Sequence, residues 1–449
     1  MNSFFVVAPL LLALSVMLSV ESAAQSPPSS LPGTGAASAP ETASLSIEQA
    51  VAEALQSNPD IQAASKRVTL ARLKIATARS LDDPMLMIRD WDTPLRKPWD
   101  LNQAQAMFSI QQTFPGSSKR ALRGSIAADG ADAAGDDLQT MRQDVSARVR
   151  ELCAGLLRNA KEMQLHGQQA EVLKESLASV LSQYTSGQAT QADVLRAQMA
   201  TTRLSEHLLE LEQEHDDATA QLNALMGRGP DRTLEITGDF GEVENLPSIE
   251  ELERVAIENR PELAGLRAIH SGSAHTALLS RLAMKPDLTV AAGYMLMPSG
   301  SNFRNAYMAE LSMNLPSLNR GRHEGESRQA DAAADVAQEE LDARTSAVFL
   351  EVRQAQIEVQ TAQARMNLYR KTLLPQAEAT FKASTAAYQN NRGELMNVID
   401  SENLLLDIQT DLDKAAFAAE AGIARVERAI GAPLNAMTRN NAVAGGLSK

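Results

Sequence analysis

"YTSGQATQADVLRAQ", Tyr184 to Gln198, breaks into a chain that has held helical period for many turns, reverses at Ser186-Gly187 and resumes the period at once. A second stretch does the same 204 residues later: "YQNNRGELMNVIDSE", Tyr388 to Glu402. Glycine suits such a tight reversal because, without a Cβ, it enters positive φ at little steric cost. Gly187 and Gly393 are therefore the predicted tips of two helical hairpins.

The interval is not confined to the tips. "LSIEQAVAEALQSNPDIQ" from Leu45 matches "PSIEELERVAIENRPELA" from Pro247, with Ile47 and Pro59 answered by Ile249 and Pro261. Asp83-Pro84 pairs with Lys285-Pro286, Phe114-Pro115 with Leu315-Pro316, Val194-Leu195 with Val398-Ile399, and Met226-Gly227 with Ile430-Gly431. The anchors keep one order with a drift of only a few residues, so the chain reads as the duplication of one long unit. That unit is far longer than the roughly 20–50 residues of solenoid repeats.

Within each unit the period changes in the same order. Val348, Val352, Ala355, Val359, Ala362, Met366, Tyr369 and Leu373 step by three and four, as do Leu138, Met141, Val145, Val149, Leu152 and Leu156. That spacing is a coiled-coil seam. A helix from Lys119 to Tyr184 would reach about 100 Å, so it must pack lengthwise on neighbours. Pro375 should kink the pattern locally. Between the helical stretches the period falls to two. Tyr307, Ala309, Leu311, Met313 and Leu315 alternate with Met308, Glu310, Ser312 and Asn314, and Phe108, Ile110 and Phe114 alternate with Ser109, Gln111 and Thr113, although Gln112 interrupts the apolar face. Each unit thus supplies one strand hairpin with a greasy and a wet side, 84–115 in the first and 286–316 in the second.

The termini and composition bound the class. "FFVVAPLLLALSVMLSV" followed by the small residues Ser22 and Ala24 reads as a signal peptide over 1–24, although "MNS" before it carries no Lys or Arg. The Pro/Ser/Gly/Ala-rich residues 25–44 read as a disordered leader, 45–246 and 247–434 as the two structural repeats, and 435–449 as a flexible tail. Aromatic content is 4%, which disfavours an all-β sandwich, and the fold class is mainly α with a small β part. A net charge of −14 disfavours nucleic acid as a partner, since phosphate binding needs a basic face. Cys153 is the only cysteine, so there is no disulfide framework and no lipid-modified cysteine. The six histidines, 166, 207, 215, 270, 275 and 323, look scattered and show no H-E-x-x-H pattern, so no metal centre, cofactor or catalytic residue is expected. "GSSKR" at Gly116 lacks the upstream Gly of a P-loop.

Four strands with open edges cannot sit in hydrocarbon, where unpaired backbone groups have no water to bond. A spanning barrel needs at least about eight strands, so several chains must pool their hairpins. Phe108, Ile110, Tyr307, Leu311 and Met313 would then face lipid. A soluble periplasmic coiled-coil adaptor or scaffold is the alternative; it would share the export signal and the long helices but would not need two-faced strands.

Taken with "LSIEQAVAEALQSNPDI", the Phe114-Pro115-Gly116 step, "LNALMGR" at Leu222 to Arg228, and "LLPQAEATF" at Leu373 to Phe381, the two tips resemble the outer-membrane efflux (TolC-like) family. The resemblance runs from about Leu45 to Leu434, and the "FPGSSKR" phrase is similar to the family's heavy-metal branch. It implies a homotrimer whose strands close a trimeric outer-membrane β-barrel continued by an α-helical periplasmic tunnel. A periplasmic adaptor and an inner-membrane pump are the implied partners, together with outer-membrane lipid, and the chain would be a passive exit duct. The resemblance also implies an entrance constriction at the tips, formed here by Asp193, Tyr388, Arg392 and Asp400. Asn397 stands where a second acid is common in the family, and Gly393 where Arg is common. For cargo, Met284, Met295, Met297, Met308 and Met313 gather around the second strand hairpin. Thioether sulfur suits soft ions such as Cu(I), and it serves equally as apolar filling.

Overall fold

The computed structural model describes residues 43–91, 105–238, 246–297, 305–390 and 392–434. The signal peptide, nearly all of the leader, the C-terminal tail and the two loops between paired strands lie outside them. In chain order the first repeat holds β1 (Ala43–Leu45), α1 (Ile47–Ser57), α2 (Pro59–Arg79), β2 (Met85–Trp91), β3 (Gln105–Phe114), α3 (Lys119–Thr185), α4 (Gln191–Leu225) and β4 (Leu234–Ile236). The second holds α5 (Ile249–Asn259), α6 (Pro261–Leu282), β5 (Leu288–Leu296), β6 (Asn305–Met313), α7 (Arg320–Leu368), α8 (Leu374–Gln389) and α9 (Leu395–Ile430). Ala43 and Ser44, expected in the leader, belong instead to β1, which pairs in parallel with β4.

The duplication is visible in the capping chemistry. Ser46 accepts a hydrogen bond from Gln49 N at the start of α1, and Ser248 accepts one from Glu251 N at the start of α5. Pro59 and Pro261 open α2 and α6, where a missing N–H costs nothing because the first turn has no intrahelical acceptor. Gly227 and Gly431 end the two return helices at φ of +68° and +73°. A Cβ on either would meet a carbonyl oxygen at 2.8 Å, that of Ser57 or Asn259, so each glycine serves both the left-handed turn and the close approach of the α1–α2 or α5–α6 junction.

Each of these junctions sits on its own apolar core. In the first repeat Ala50, Ala54 and Ile61 pack on Val145, Val149, Leu152 and Leu222; in the second, Leu252, Ala256 and Leu263 pack on Val348, Val352, Val359 and Val426. The seam residues read from the sequence thus lie at the middle of the long helices. On one side of this belt α2 and α6 accompany α3 and α7, and on the other α4 and α9 do. With 67 residues α3 spans about 100 Å. At Pro375 the helix does not simply bend. The segment Tyr369–Leu373 widens into a π-turn directly before the proline, which accommodates the bond that Pro375 cannot donate.

The four strands form one antiparallel sheet in the order β2–β3–β5–β6. Leu86, Ile110, Ala292 and Ala309 stand opposite one another across it, as do Ile88, Phe108, Tyr294 and Tyr307. Leu311 lies opposite Val290 and Met313 opposite Leu288. With a side-chain period of two, Phe108, Ile110, Tyr307, Leu311 and Met313 therefore share one face, and all five are exposed, Tyr307 to 89%. The other face holds Arg89, Ser109, Gln111, Thr113, Thr289, Glu310 and Ser312 by the same register, together with Met87, Met107, Met295 and Met308. Gln112 falls on the apolar face, where its amide donates to Asp82 O and Thr113 O. Within the chain neither β2 nor β6 has an outer partner among the described residues.

Sheet and helices are latched at the "FPGSSK" step. Lys119, 5% exposed, donates from Nζ to Lys285 O and Asp287 Oδ1, both at 2.8 Å, and Gly116 N donates to the same carboxylate oxygen at 2.7 Å.

Candidate functional site at the hairpin tips

The first tip turns at Gly187, φ +77°, with open space where a Cβ would stand. Thr190 then restarts the chain as the N-cap of α4. Its hydroxyl and its backbone N–H both donate to Asp193 Oδ2, at 2.7 and 2.9 Å, while Asp193 N donates back to Thr190 Oγ1. Those two bonds, the hydroxyl's first, hold the Asp193 carboxyl below its ordinary value, and Arg196 stands 3.7 Å away. Asp193 is thus an anion whose oxygen is already engaged in starting a helix.

The second tip is built differently. Gly393 was expected to supply a positive φ, but it does not adopt one. A Cβ there would lie 3.1 Å from Ala387 Cβ and 3.2 Å from Tyr388 N, so glycine is needed for closeness rather than for handedness. Tyr388 Oη accepts from Gln183 Nε2 at 2.9 Å and so ties the end of α8 to the end of α3. Behind both tips Leu173, Leu204 and Ile399 form a small core joining α3, α4 and α9.

Asp193, Tyr388 and Gly393 line one cleft between the tips, with Val180, Arg196 and Met396 around them. Arg392 and Asp400 do not join that lining. Arg392 is exposed and its backbone N–H donates to Ala387 O at 2.8 Å; among the described residues of one chain no acid pairs with its guanidinium. Asp400 is likewise exposed on α9 and unpartnered among the described residues. Two of the four expected entrance residues therefore share a cleft, and the other two are exposed outside its lining.

Sequence reading missed two groupings. One is the ion-pair network beside the belt, where Arg428 reaches Asp144 of α3 at 2.8 Å and Glu351 of α7 at 3.2 Å, and Arg344 holds Glu262 at 2.6 Å. The other corrects the scattered reading of the histidines: His166 and His207 come together with Glu162, with donor atoms within 4.8 Å of one another. The legible signal for that cluster was Glu162 and His166 at i, i+4 on one helix face, which needs no H-E-x-x-H.

The described residues contain no helix long and apolar enough to cross a membrane. The model of the outer membrane efflux protein family matches residues 50–228 and 252–432, one segment in each repeat. The cobalt-zinc-cadmium resistance protein CzcC of Cupriavidus metallidurans is 25% identical over 361 residues, which cover 80% of this chain and 84% of that one. Among solved structures, the outer-membrane channel OprN superposes with a TM-score of 0.74 at 16% identity, over 86% of this chain and 90% of its own. CusC gives 0.74 at 14% identity over 86% and 92%, and the outer membrane protein VceC of Vibrio cholerae gives 0.71 at 20% over 86% and 96%. This chain belongs to the outer membrane efflux protein family: it is the outer-membrane channel component of an efflux pump, with its helical tunnel on the periplasmic side, and not an enzyme.

Proposed function

We propose that the working unit is a homotrimer in which three four-stranded sheets close one twelve-stranded barrel and the helical hairpins assemble beneath it as a tunnel. The observation that carries this reading is the sheet itself. Its apolar face is exposed and both outer edges lack partners among the described residues, an arrangement that a bilayer tolerates only when the edges are closed. The tips then ring the tunnel entrance, where an adaptor and the inner-membrane pump would dock. In the trimer Arg392 and Asp400, which are exposed in one chain, can pair with a neighbour's tip. Detergent extraction followed by native mass measurement and cross-linking tests the assembly. A trimer in the outer-membrane fraction is expected, and a soluble periplasmic monomer would refute it.

For cargo we propose metal cations. Two observations support this: CzcC is named for cobalt, zinc and cadmium resistance, and the half-buried Met87, Met295 and Met308 fall on the polar face of the sheet, where thioethers would meet a passing soft cation. Met313, on the opposite face, has no such part. A deletion strain should lose growth on cobalt, zinc, cadmium or copper rather than on common antibiotics. Sensitivity to antibiotics alone would remove the metal reading.

A further inference from the structure

We infer that the wall of the first helical hairpin holds a divalent-cation site made by Glu162 and His166 of α3 and His207 of α4, suited to a borderline first-row ion such as Zn²⁺ or Co²⁺. Glu162 and His166 lie one turn apart on the face of α3 that meets α4, and His207 reaches across from the returning helix. The two imidazole rings stand edge to face with centroids 4.6 Å apart. Two imidazoles and one carboxylate are the donor set of three-ligand zinc sites that leave a fourth position open.

Hydrogen bonding around the rings prepares them as ligands. His166 Nδ1 lies 3.0 Å from Gln169 Oε1, and Gln169 Nε2 donates to Asn403 Oδ1 of α9 at 2.8 Å. That polarity puts the imidazole proton on Nδ1 and leaves Nε2 with its lone pair. His166 Nε2 is buried and has no hydrogen-bond partner, a costly state for a polar atom unless something binds there. His207 Nδ1 faces Glu210 Oε2 at 3.4 Å, which turns its Nε2 toward Glu162 Oε1 at 3.5 Å. An outer partner on the second ring nitrogen commonly orients a metal-binding histidine. The Glu162 side chain is only 3% exposed, and Arg158 fixes its other oxygen, Oε2, at 3.1 Å.

Two features temper the affinity. The ligand atoms lie within 4.8 Å of one another, whereas a tetrahedral site with bonds of about 2.0–2.2 Å has edges of about 3.3 Å, so the three side chains must draw together to close on an ion. Lys414 of α9 also stands 3.5 Å from Glu162 Oε1, and a bound ion would displace its ammonium. The second repeat has no counterpart: 204 residues on from the three ligands stand Met366, Arg370 and Asp411. An ion would therefore staple α3 to α4 in the first hairpin alone, and it would loosen the contact of Lys414 of α9 with α3. The site deepens the metal-cargo reading but can stand or fall apart from it.

The test is equilibrium binding of Zn²⁺, and of Co²⁺ followed by its visible absorption, to the detergent-solubilised full-length assembly after chelator treatment and desalting. One ion per chain is expected. Glu162→Gln and the pair His166→Ala/His207→Ala should each weaken binding at least tenfold with helix content unchanged. Lys414→Ala should tighten it two- to tenfold, a gain that adventitious surface binding would not show. Wild-type binding no stronger than that of the double-histidine variant, or binding indifferent to both Glu162→Gln and Lys414→Ala, would overturn the site. Growth of the deletion strain reports on cargo separately: binding without metal sensitivity keeps the site and removes the cargo reading, and metal sensitivity without binding does the reverse.

Discussion

A charge placed on the apolar face of the sheet separates a membrane wall from a soluble one, and the register says where to place it. β3 spans Gln105–Phe114, β5 Leu288–Leu296 and β6 Asn305–Met313, so the row Ile110, Ala292, Ala309 crosses the middle of the sheet. Ile110 is 60% exposed there. Leu311 shares the face but stands two residues from the end of β6, about 7 Å further along the strand, where a charge can reach the interface. Ile110→Arg should therefore cost about 2–4 kcal/mol per chain, against about 0–1 kcal/mol for positions near the interface such as Leu311. Three copies in a trimer multiply the cost. Gln111→Arg adds the same charge to the half-buried neighbour on the polar face and should be tolerated. The assay is the amount of heat-resistant assembly recovered from outer membranes, with Ile110→Leu as a control for packing. Loss is expected for Ile110→Arg, little for Leu311→Arg and less for Gln111→Arg. Equal recovery of the Ile110 and Gln111 variants would refute the assignment of that face to lipid.

Gly431→Ala should lower the thermal midpoint more than Gly187→Ala: both incur about 1–2 kcal/mol for a left-handed Cβ, but only the former drives that Cβ against Asn259 O at 2.8 Å. Equal losses by calorimetry would show that the contact relaxes without cost. At the tips, Asp400→Asn should reduce cation preference in planar bilayers, because that carboxylate has no partner among the described residues. Asp193→Asn should also loosen the start of α4, where Asp193 and Thr190 cap the helix reciprocally, and unchanged selectivity in the double variant would move the entrance elsewhere. Arg392→Ala should raise conductance only if a neighbouring chain supplies its acid, so a salt-independent conductance would argue against bracing. Burial raises the Glu262 carboxyl, but the Arg344 and Arg260 guanidiniums outweigh it and leave the group below its ordinary 4.5. A depressed carboxylate stabilises the fold above its unfolded value and loses that contribution as pH falls through the folded one, so the midpoint should drop as pH falls below the ordinary carboxylate value of 4.5. Glu262→Gln should flatten part of that drop, and an unaltered pH profile would show that the ion pair contributes nothing.

The sequence by itself determined what depends on local period and on duplication. Steps of three and four from Val348 to Met366, steps of two from Tyr307 to Met313, and anchors such as Ile47 and Ile249 each report one backbone geometry, because side-chain direction follows from spacing alone. The two hairpins, the two-faced strands and the family resemblance were legible for that reason. Tertiary structure decided whatever joins residues distant in the chain. Gly393 looked like Gly187 in sequence, yet its need comes from Ala387 and Tyr388 pressing on it rather than from φ. Asp193 and Tyr388 share a cleft while Arg392 and Asp400 do not, because the direction of a side chain on a helix is visible in sequence but the helix it meets is not. His166 and His207, 41 residues apart, meet only because α4 folds back along α3 at Gly187, and no spacing rule along one helix can show a side chain supplied by another.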